Sequence, residues 1–369
     1  MVLYEKKLNY SDLLFASIGH IVGAGIFFLI KYVYGYAKEK TWISIFLGGL
    51  FMLIFGNAYA KLPQKYNNVD NIEQHILTTK LGINWSNLIL ILTIIGFIFG
   101  GYIVGDAFAS YFSHMTNIKN EISFLLLIGI CYLLNIYKID ILANFNNLMT
   151  IVGIGILILL ILIGFYKMII DKSTDFTKYY SFKQSENFKS EIWNIIKGAY
   201  LIIFSYLGFE VMVKLNKESK NPFTDIPKSI KHSLYITILI YTLLGIVYAY
   251  TMNLKTKYKY DEKLNDIPIT NSLQNLINTD KYNNVINIAA CIFTANTVLI
   301  SMLGASRLLD DVINIDKNHN VPRKSILIIT LGILILFWLK YNITKSTFIS
   351  NTFTLLLFGS VLLIEQNII

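Results

Sequence analysis

Residues 18–27 read Ile-Gly-His-Ile-Val-Gly-Ala-Gly-Ile-Phe and lie inside the first long apolar stretch of the chain. Glycine has no Cβ, so a helix opens easily there and a ligand can approach the backbone. Residues 204–210 read Phe-Ser-Tyr-Leu-Gly-Phe-Glu, inside the sixth apolar stretch. Membrane glycines also let helices pack closely, and for one cluster alone both interpretations stay open. Two matching interruptions, one beside a carboxylate, favour a ligand site.

Composition places both interruptions in lipid. Of 369 residues, 54% are hydrophobic and 15% are charged, which is too apolar for a soluble protein of this size. Apolar stretches recur at about the 20 residues that a helix needs to cross a bilayer. The pattern predicts an all-α, multi-pass integral membrane protein in a lipid bilayer. The ten predicted spans are 12–33, 43–61, 86–112, 122–138, 147–168, 193–214, 233–253, 283–306, 325–340 and 346–364.

The two interruptions fall in the first and sixth spans. A break in corresponding helices is the pattern of an inverted repeat. We therefore expect one transmembrane domain over residues 1–369, with repeats at about 12–168 and 193–364.

The polar joints carry most of the lysines behind the net charge of +9. Without a soluble domain to bear a basic face, nucleic-acid binding is not expected. Positive residues in the short joints favour a cytoplasmic N-terminus, and the polar segment before Asp12 lacks a signal-peptide pattern, so the first span is expected to be retained. Cys131 and Cys291 lie in apolar stretches, so neither a disulfide framework nor a metal site is indicated, and no cofactor is expected.

An unwound membrane helix leaves backbone groups without partners unless they meet a ligand or a polar cavity. The N–H groups of Ala24, Gly25 and Ile26, beside Gly23 at the positive end of a half-helix, suit a carboxylate. Carbonyl groups freed over residues 200–207 suit an α-ammonium group. The residues predicted there are Tyr200, Ser205 and Leu207, with Phe204 or Tyr206 as an aromatic lid.

Residues 19–27 resemble the first-helix signature of the amino acid–polyamine–organocation permease superfamily. Residues 205–210, with Lys217-Glu-Ser-Lys-Asn-Pro222 and Asp225-Ile-Pro227, are similar to its sixth helix and the segment after it. Ala305-Ser-Arg-Leu-Leu309, followed by Val321-Pro322, is a third match in the right order. The resemblance covers nearly the whole chain and is specific for the superfamily, not for the substrate.

The resemblance implies the five-plus-five inverted-repeat fold of the leucine transporter, with discontinuous helices 1 and 6 and alternating access. It implies a neutral or cationic L-amino acid as substrate, moved by proton symport or exchange. Ala24, Gly25 and Ile26 would meet its carboxylate, Phe204 would gate the site and Leu207 would present a carbonyl to the amine. A polyamine transporter, and an amino-acid sensor or regulatory homologue that does not transport, remain alternatives.

Two departures from the superfamily pattern bear on function. Many members place a lysine in the fifth span, where this chain has Gly153, so proton coupling by that route is in doubt. Many also carry two further helices after the tenth, whereas this sequence ends at Ile369, so about ten helices are expected, dimerisation does not carry over and the oligomeric state is open.

Ionisable groups at membrane depth are costly and therefore candidates for function. Glu210 is predicted to be a proton-linked gate, with pairing to Lys214 as the structural alternative. His20 is either a pH sensor or, more simply, hydrogen-bonded to a neighbouring helix. Asp106 either draws cationic substrates into a vestibule or marks the membrane interface.

Small polar side chains in the spans leave a sodium site open beside simple interhelical hydrogen bonds. These residues are Asn147, Thr150, Thr294, Asn296 and Ser301. Catalysis is not expected, because the Gly-x-Gly-Asp motif of an intramembrane protease would need glycine where Ile103 stands before Asp106, and its partner Tyr-Asp pair is found only in a joint.

Overall fold

The computed structural model describes residues 8–66, 69, 71–137, 143–171, 175–182, 188–215, 219–254, 266–277, 279–313 and 322–368. Within these ranges only the backbone is described for Ala24, residues 143–149 and Lys214.

Every regular element in this part of the chain is helical, as predicted. Two further turns, Lys38–Lys40 and Ile203–Tyr206, are 3₁₀-helical. The α-helices are α1 Tyr10–Ile21, α2 Ala24–Ala37, α3 Thr41–Tyr59, α4 Leu62–Lys65, α5 Ile72–Leu81, α6 Ile83–Thr116, α7 Asn120–Ile136, α8 Ala143–Ile170, α9 Thr177–Tyr180, α10 Phe188–Ile202, α11 Val211–Lys214, α12 Pro222–Asn253, α13 Pro268–Ile277, α14 Asn283–Ile313, α15 Arg323–Trp338 and α16 Ile343–Glu365.

Each of the ten predicted spans overlaps one or two of these helices, although only seven helical segments of the described chain are both apolar and at least 18 residues long. The difference has two causes. The 3₁₀ turn Lys38–Lys40 joins α2 to α3, so the segment Gly25–Lys65 counts once. In addition, α7 and α15 have only 17 and 16 residues.

The bundle buries its core and presents apolar side chains outward. The long helix α6 packs against α14 and α16, while α12 packs against α1 and α3. Large apolar side chains such as Leu162 and Leu239 are 62% and 61% exposed. Because water would oppose such exposure, these side chains face the hydrocarbon of the bilayer. The chain is an integral, multi-pass membrane protein.

We call the end of the bundle at which α1 begins the N-terminal face. The backbone of Leu8 forms an isolated parallel bridge with Ser219, and the Lys220 N–H donates to the Leu8 carbonyl oxygen at 2.9 Å. Here too, Lys65 Nζ lies 2.9 Å from Glu365 Oε1, tying α4 to the end of α16.

The opposite face carries the joint between α2 and α3 and the residues that lead into α13. There Lys31 pairs with Asp266 at 2.9 Å. The buried ammonium group of Lys40 donates to the carbonyl oxygens of Lys178 and Ser181.

Candidate functional site at the two helix breaks

The first break separates α1 from α2 at Val22 and Gly23. Gly23 occupies the N-cap position of α2 and has no side chain with which to cap the N–H groups of its first turn. Those groups have no partner within the helix, and the helix dipole makes this end positive. On the other side of the break, the Ile21 carbonyl oxygen accepts a hydrogen bond of 3.0 Å from the Tyr241 hydroxyl.

The second break, between α10 and α11, is longer. After α10 the chain forms the 3₁₀ turn Ile203–Tyr206, becomes extended at Leu207 and adopts a positive φ of 123° at Gly208. An L-side chain is strained at that φ, so glycine is required by the backbone itself. The Asn351 side chain, from α16, donates to the carbonyl oxygens of Tyr200 at 2.6 Å and Leu201 at 3.4 Å.

The two breaks touch each other through their glycines. A Cβ on Gly25 would lie 2.5 Å from Ser205 Oγ and 2.6 Å from Ser205 Cα. A Cβ on Gly208 would lie 2.7 Å from the carbonyl carbon of His20, and one on Gly23 would lie 2.5 Å from Thr297 Oγ1 in α14. The glycines of both motifs therefore serve close backbone approach as well as helix opening.

A cavity of about 820 Å³ runs from the breaks to the N-terminal face. Its inner part is lined by His20, Gly23 and Gly25 of the first break and by Phe204, Leu207 and Glu210 of the second. Its mouth is lined by the exposed residues His75, Arg307 and Asp311.

Toward the opposite face, aromatic residues cover the breaks. The rings of Phe27 and Phe293 are stacked with their centroids 5.6 Å apart. The buried Tyr111 hydroxyl donates to the Phe27 carbonyl oxygen at 2.6 Å. The site is thus accessible from one face and covered from the other.

Only some of the predicted site residues line this cavity. Phe204 and Leu207 line it, whereas Ile26 is fully buried and Ser205 lies behind Gly25. The side chain of Ala24 is outside the described residues. The buried Ser205 hydroxyl has no hydrogen-bond partner among the described residues.

The aromatic residues predicted at the site also differ in their surroundings. The Tyr206 ring is fully buried and its hydroxyl donates to the Ile45 carbonyl oxygen at 3.0 Å. Tyr200 stacks on Phe348 and its hydroxyl lies 2.6 Å from Thr352 Oγ1, so it faces α16. Of the two residues predicted as a lid, only Phe204 lines the cavity.

Three ionisable groups were singled out from the sequence. The Glu210 carboxylate is 7% exposed, lines the cavity and accepts a hydrogen bond of 2.8 Å from the Gly208 N–H. Its alternative partner, the Lys214 side chain, is outside the described residues. His20 lines the cavity beside the second break. Asp106 lies away from the cavity, close enough to Lys31 and Asp266 to interact electrostatically with both.

Position 153 has no room for the lysine found in many superfamily members. A Cβ on Gly153 would overlap the ring of Phe293, which already occupies that space. Phe293 of α14 therefore fills the space beside the position at which this sequence departs from the superfamily pattern.

The polar residues considered for a sodium site belong to α8 and α14. Thr294 donates to carbonyl oxygens of its own helix, those of Ala290 and Cys291. Ser301 lines the cavity, and the Asn147 side chain is outside the described residues. Among the described residues, no cluster of three His, Cys, Asp or Glu side chains suits a metal ion.

Sequence reasoning missed Asn351, Tyr241 and Thr297, each of which contacts or caps one of the breaks. All three are polar residues inside apolar spans. That signal was present but is shared by many interhelical hydrogen bonds, so only the fold distinguishes them.

With the geometry established, comparison with known proteins identifies the family. The profile of the family described as amino acid permease matches residues 8–364. This chain belongs to the amino acid permease family. The match confirms the superfamily suggested by the three motifs.

Named relatives of the permease are distant. Cationic amino acid transporter 1 and the vacuolar cationic amino acid transporter 4, both from Arabidopsis thaliana, are 22% and 25% identical to it, each over 66% of this chain. The permease spans 42% of the length of each of these two relatives. The inner membrane transport protein YbaT of Escherichia coli strain K12 is 22% identical, over 86% of this chain and 71% of its own.

Among solved structures, the permease resembles Mhp1, a nucleobase-cation-symport-1 family transporter in a closed conformation with bromovinylhydantoin bound. The TM-score is 0.60 at 11% identity, over 95% of this chain and 75% of that one. This likeness, together with the broken first and sixth spans, confirms the leucine-transporter-type fold.

Proposed function

We propose that the permease is a secondary-active transporter that moves an L-amino acid across the membrane by alternating access. The carrying observation is that two broken helices meet at a cavity open to one face and covered by aromatic residues on the other. A continuous pore would be open at both ends, whereas an alternating-access carrier exposes its site to one side at a time.

The chemistry of the breaks suits a zwitterion. The first turn of α2 offers N–H donors and the positive end of a helix dipole to a carboxylate at Ala24, Gly25 and Ile26. The carbonyl oxygens of Tyr200 and Leu201 already accept hydrogen bonds from Asn351. The substrate's amine is therefore bound by carbonyl groups at and beyond the 3₁₀ turn, including that of Leu207. Phe204 lines the cavity between these groups and closes over the substrate.

The substrate we propose is a neutral or cationic L-amino acid. Two relatives are named as cationic amino acid transporters, and Glu210 adds a carboxylate to the cavity. With a cytoplasmic N-terminus, the cavity opens to the cytoplasm and the structure corresponds to an inward-facing state. Residues 12–168 and 193–364 act as the two repeats that move against each other.

We propose proton coupling through Glu210 rather than through position 153. The Glu210 carboxylate is bound to the N–H of Gly208, the residue that turns the second break. Protonation weakens a hydrogen bond to a carboxylate, so it would loosen this turn and couple proton binding to movement of α11.

Uptake into proteoliposomes tests this proposal. Labelled L-arginine and L-leucine are supplied outside, with and without an inward proton gradient and with and without an internal amino-acid load. Stimulation by the gradient supports symport, and dependence on the internal load supports exchange. If no solute moves while an amino acid still raises the melting temperature, the protein is an amino-acid sensor and the transport proposal is withdrawn.

A further inference from the structure

The face opposite the N-terminus holds an ammonium group in an aromatic and acidic setting that the central site does not use. Lys31 Nζ lies 4.4 Å from the ring centroid of Phe28 and 5.0 Å from that of Tyr32. The same ammonium group pairs with Asp266 at 2.9 Å. Aromatic faces and carboxylates are the groups that recognise organic cations.

A second carboxylate, that of Asp106 in α6, belongs to the same cluster. Its helix α6 contacts α2 in this region, where the Tyr111 hydroxyl donates to the Phe27 carbonyl oxygen at 2.6 Å, and Asp106 lies within electrostatic range of Lys31 and Asp266. Among the described residues, the cluster therefore holds two carboxyl groups and one ammonium group. It therefore has the capacity to hold a second cation, or to exchange the first.

The two partners of the Lys31–Asp266 pair differ in exposure. Asp266 is 57% exposed, whereas Lys31 is 16% exposed. Water therefore competes with Lys31 for the Asp266 carboxylate. The two residues also belong to different segments, because Lys31 lies in α2 and Asp266 lies just before α13. An opening of this face that separated α2 from α13 would break the pair and leave its carboxylate for another cation.

The position of Asp106 relates this cluster to the central site. Gly100, six residues earlier in α6, packs against the Phe204 ring, with its Cβ position 3.3 Å from Cε2. At a rise of about 1.5 Å per residue, Asp106 lies about 9 Å further along the α6 axis, toward the end of α6 at the opposite face. A solute that enters from this face meets the cluster before it meets the breaks.

We propose that Asp106 and Asp266 form an entry subsite for the side-chain ammonium or guanidinium group of a cationic amino acid, and that Lys31 is a tethered competitor which occupies the subsite when this face is closed. The inference rests on the proposed transport function and specifies its substrate class. The two carboxylates favour binding of the cationic group, whereas Lys31 competes with it.

The test measures KM for uptake of L-arginine and of L-leucine from this face, and binding of labelled L-arginine to detergent-solubilised protein. Asp106→Asn is expected to raise the KM and weaken the binding of L-arginine about tenfold, which corresponds to about 1.4 kcal/mol. Lys31→Met keeps an apolar stem over Phe28 but removes the competing charge, so it is expected to lower the KM for L-arginine severalfold. Both variants leave the KM for L-leucine within about twofold.

Glu39→Gln is the matched control. Glu39 lies on the same face and accepts a hydrogen bond from Asn253 at 3.2 Å, outside the cluster. If it raises the KM for L-arginine as much as Asp106→Asn does, general attraction by surface charge explains the effect and the subsite is rejected. An unchanged KM for L-arginine in Asp106→Asn, or a raised one in Lys31→Met, also rejects it.

The outcomes separate this inference from the transport proposal. If wild-type protein transports L-leucine but neither binds nor transports L-arginine, the subsite is wrong and transport stands. If no solute is transported while Asp106→Asn still weakens L-arginine binding, the subsite stands and transport is wrong.

Discussion

The two helix breaks differ in length, in lining and in what holds them. The break between α1 and α2 is two residues long, and its glycines lie against Ser205 and Thr297. The break between α10 and α11 spans a 3₁₀ turn, an extended residue and a positive-φ glycine, and it carries Phe204 and Glu210 into the cavity.

This difference indicates that the two breaks have different roles. The first break offers backbone donors with almost no side chain in the way, which suits recognition of a group common to all amino acids. The second break contributes the side chains that can rotate or titrate. We therefore expect substitutions in the first break to abolish binding, and substitutions in the second to alter gating, stability or pH dependence.

The largest effect is expected for Gly25→Leu. A side chain here would collide with the Ser205 backbone, and Gly25 lines the cavity at the first turn of α2. Uptake and substrate binding should fall more than about a hundredfold while the protein still inserts. Gly35→Leu is the control, because a Cβ at Gly35 in the same helix meets nothing within 4 Å. Normal binding by inserted Gly25→Leu would show that the first break is not the binding scaffold.

Gly208→Ala should have the next largest effect. The φ of 123° and the contact with the His20 carbonyl group both oppose a side chain, and a strained φ alone costs about 1–3 kcal/mol. We expect a melting temperature lower by several degrees and uptake reduced about tenfold. Gly129→Ala, at a position open within 4 Å on α7, should change neither. Equal behaviour of the two variants would mean that the second break tolerates reshaping.

Glu210→Gln tests whether protonation of the carboxylate in the second break controls uptake. Glutamine retains an oxygen acceptor for the Gly208 N–H but has no carboxylate to protonate. The pH dependence of uptake should flatten, while uptake at the optimal pH falls less than about tenfold. Glu365→Gln, on the N-terminal face and paired with Lys65, should leave the pH profile unchanged. A pH profile in Glu210→Gln that matches the wild type would make Glu210 structural.

The smallest effect is expected for Asn351→Ala. It removes the hydrogen bonds to the carbonyl oxygens of Tyr200 and Leu201, and such bonds between membrane helices are worth about 1 kcal/mol. Thermal unfolding in detergent should shift down by a few degrees. Ser360→Ala removes a hydroxyl that donates to the Leu356 carbonyl oxygen of its own helix, and should shift the melting temperature less. An unchanged melting temperature in Asn351→Ala would show that the second break needs no cap from α16.

Part of this account could be predicted from residue order alone. The spans follow from apolar run length, because a helix must satisfy its own backbone in lipid. The breaks follow from glycines in otherwise apolar runs, and Glu210 stands out because a carboxylate at membrane depth is costly. The glycine motifs, together with the superfamily resemblance, therefore predicted the fold and the two helix breaks.

Contacts between distant residues were decided only by the tertiary structure. The sequence did not distinguish Phe204 from Tyr206 as the lid, since both are aromatic and two positions apart, but the packing of α3 buries Tyr206. Nor did it show that Phe293 fills the space beside Gly153, or that Lys31 meets Asp266 across 235 residues. Run length and residue type determine where a helix crosses and where it breaks, because those are local properties of the chain. Which side chain faces the cavity depends on how helices far apart in sequence pack. Local residue patterns do not specify those contacts.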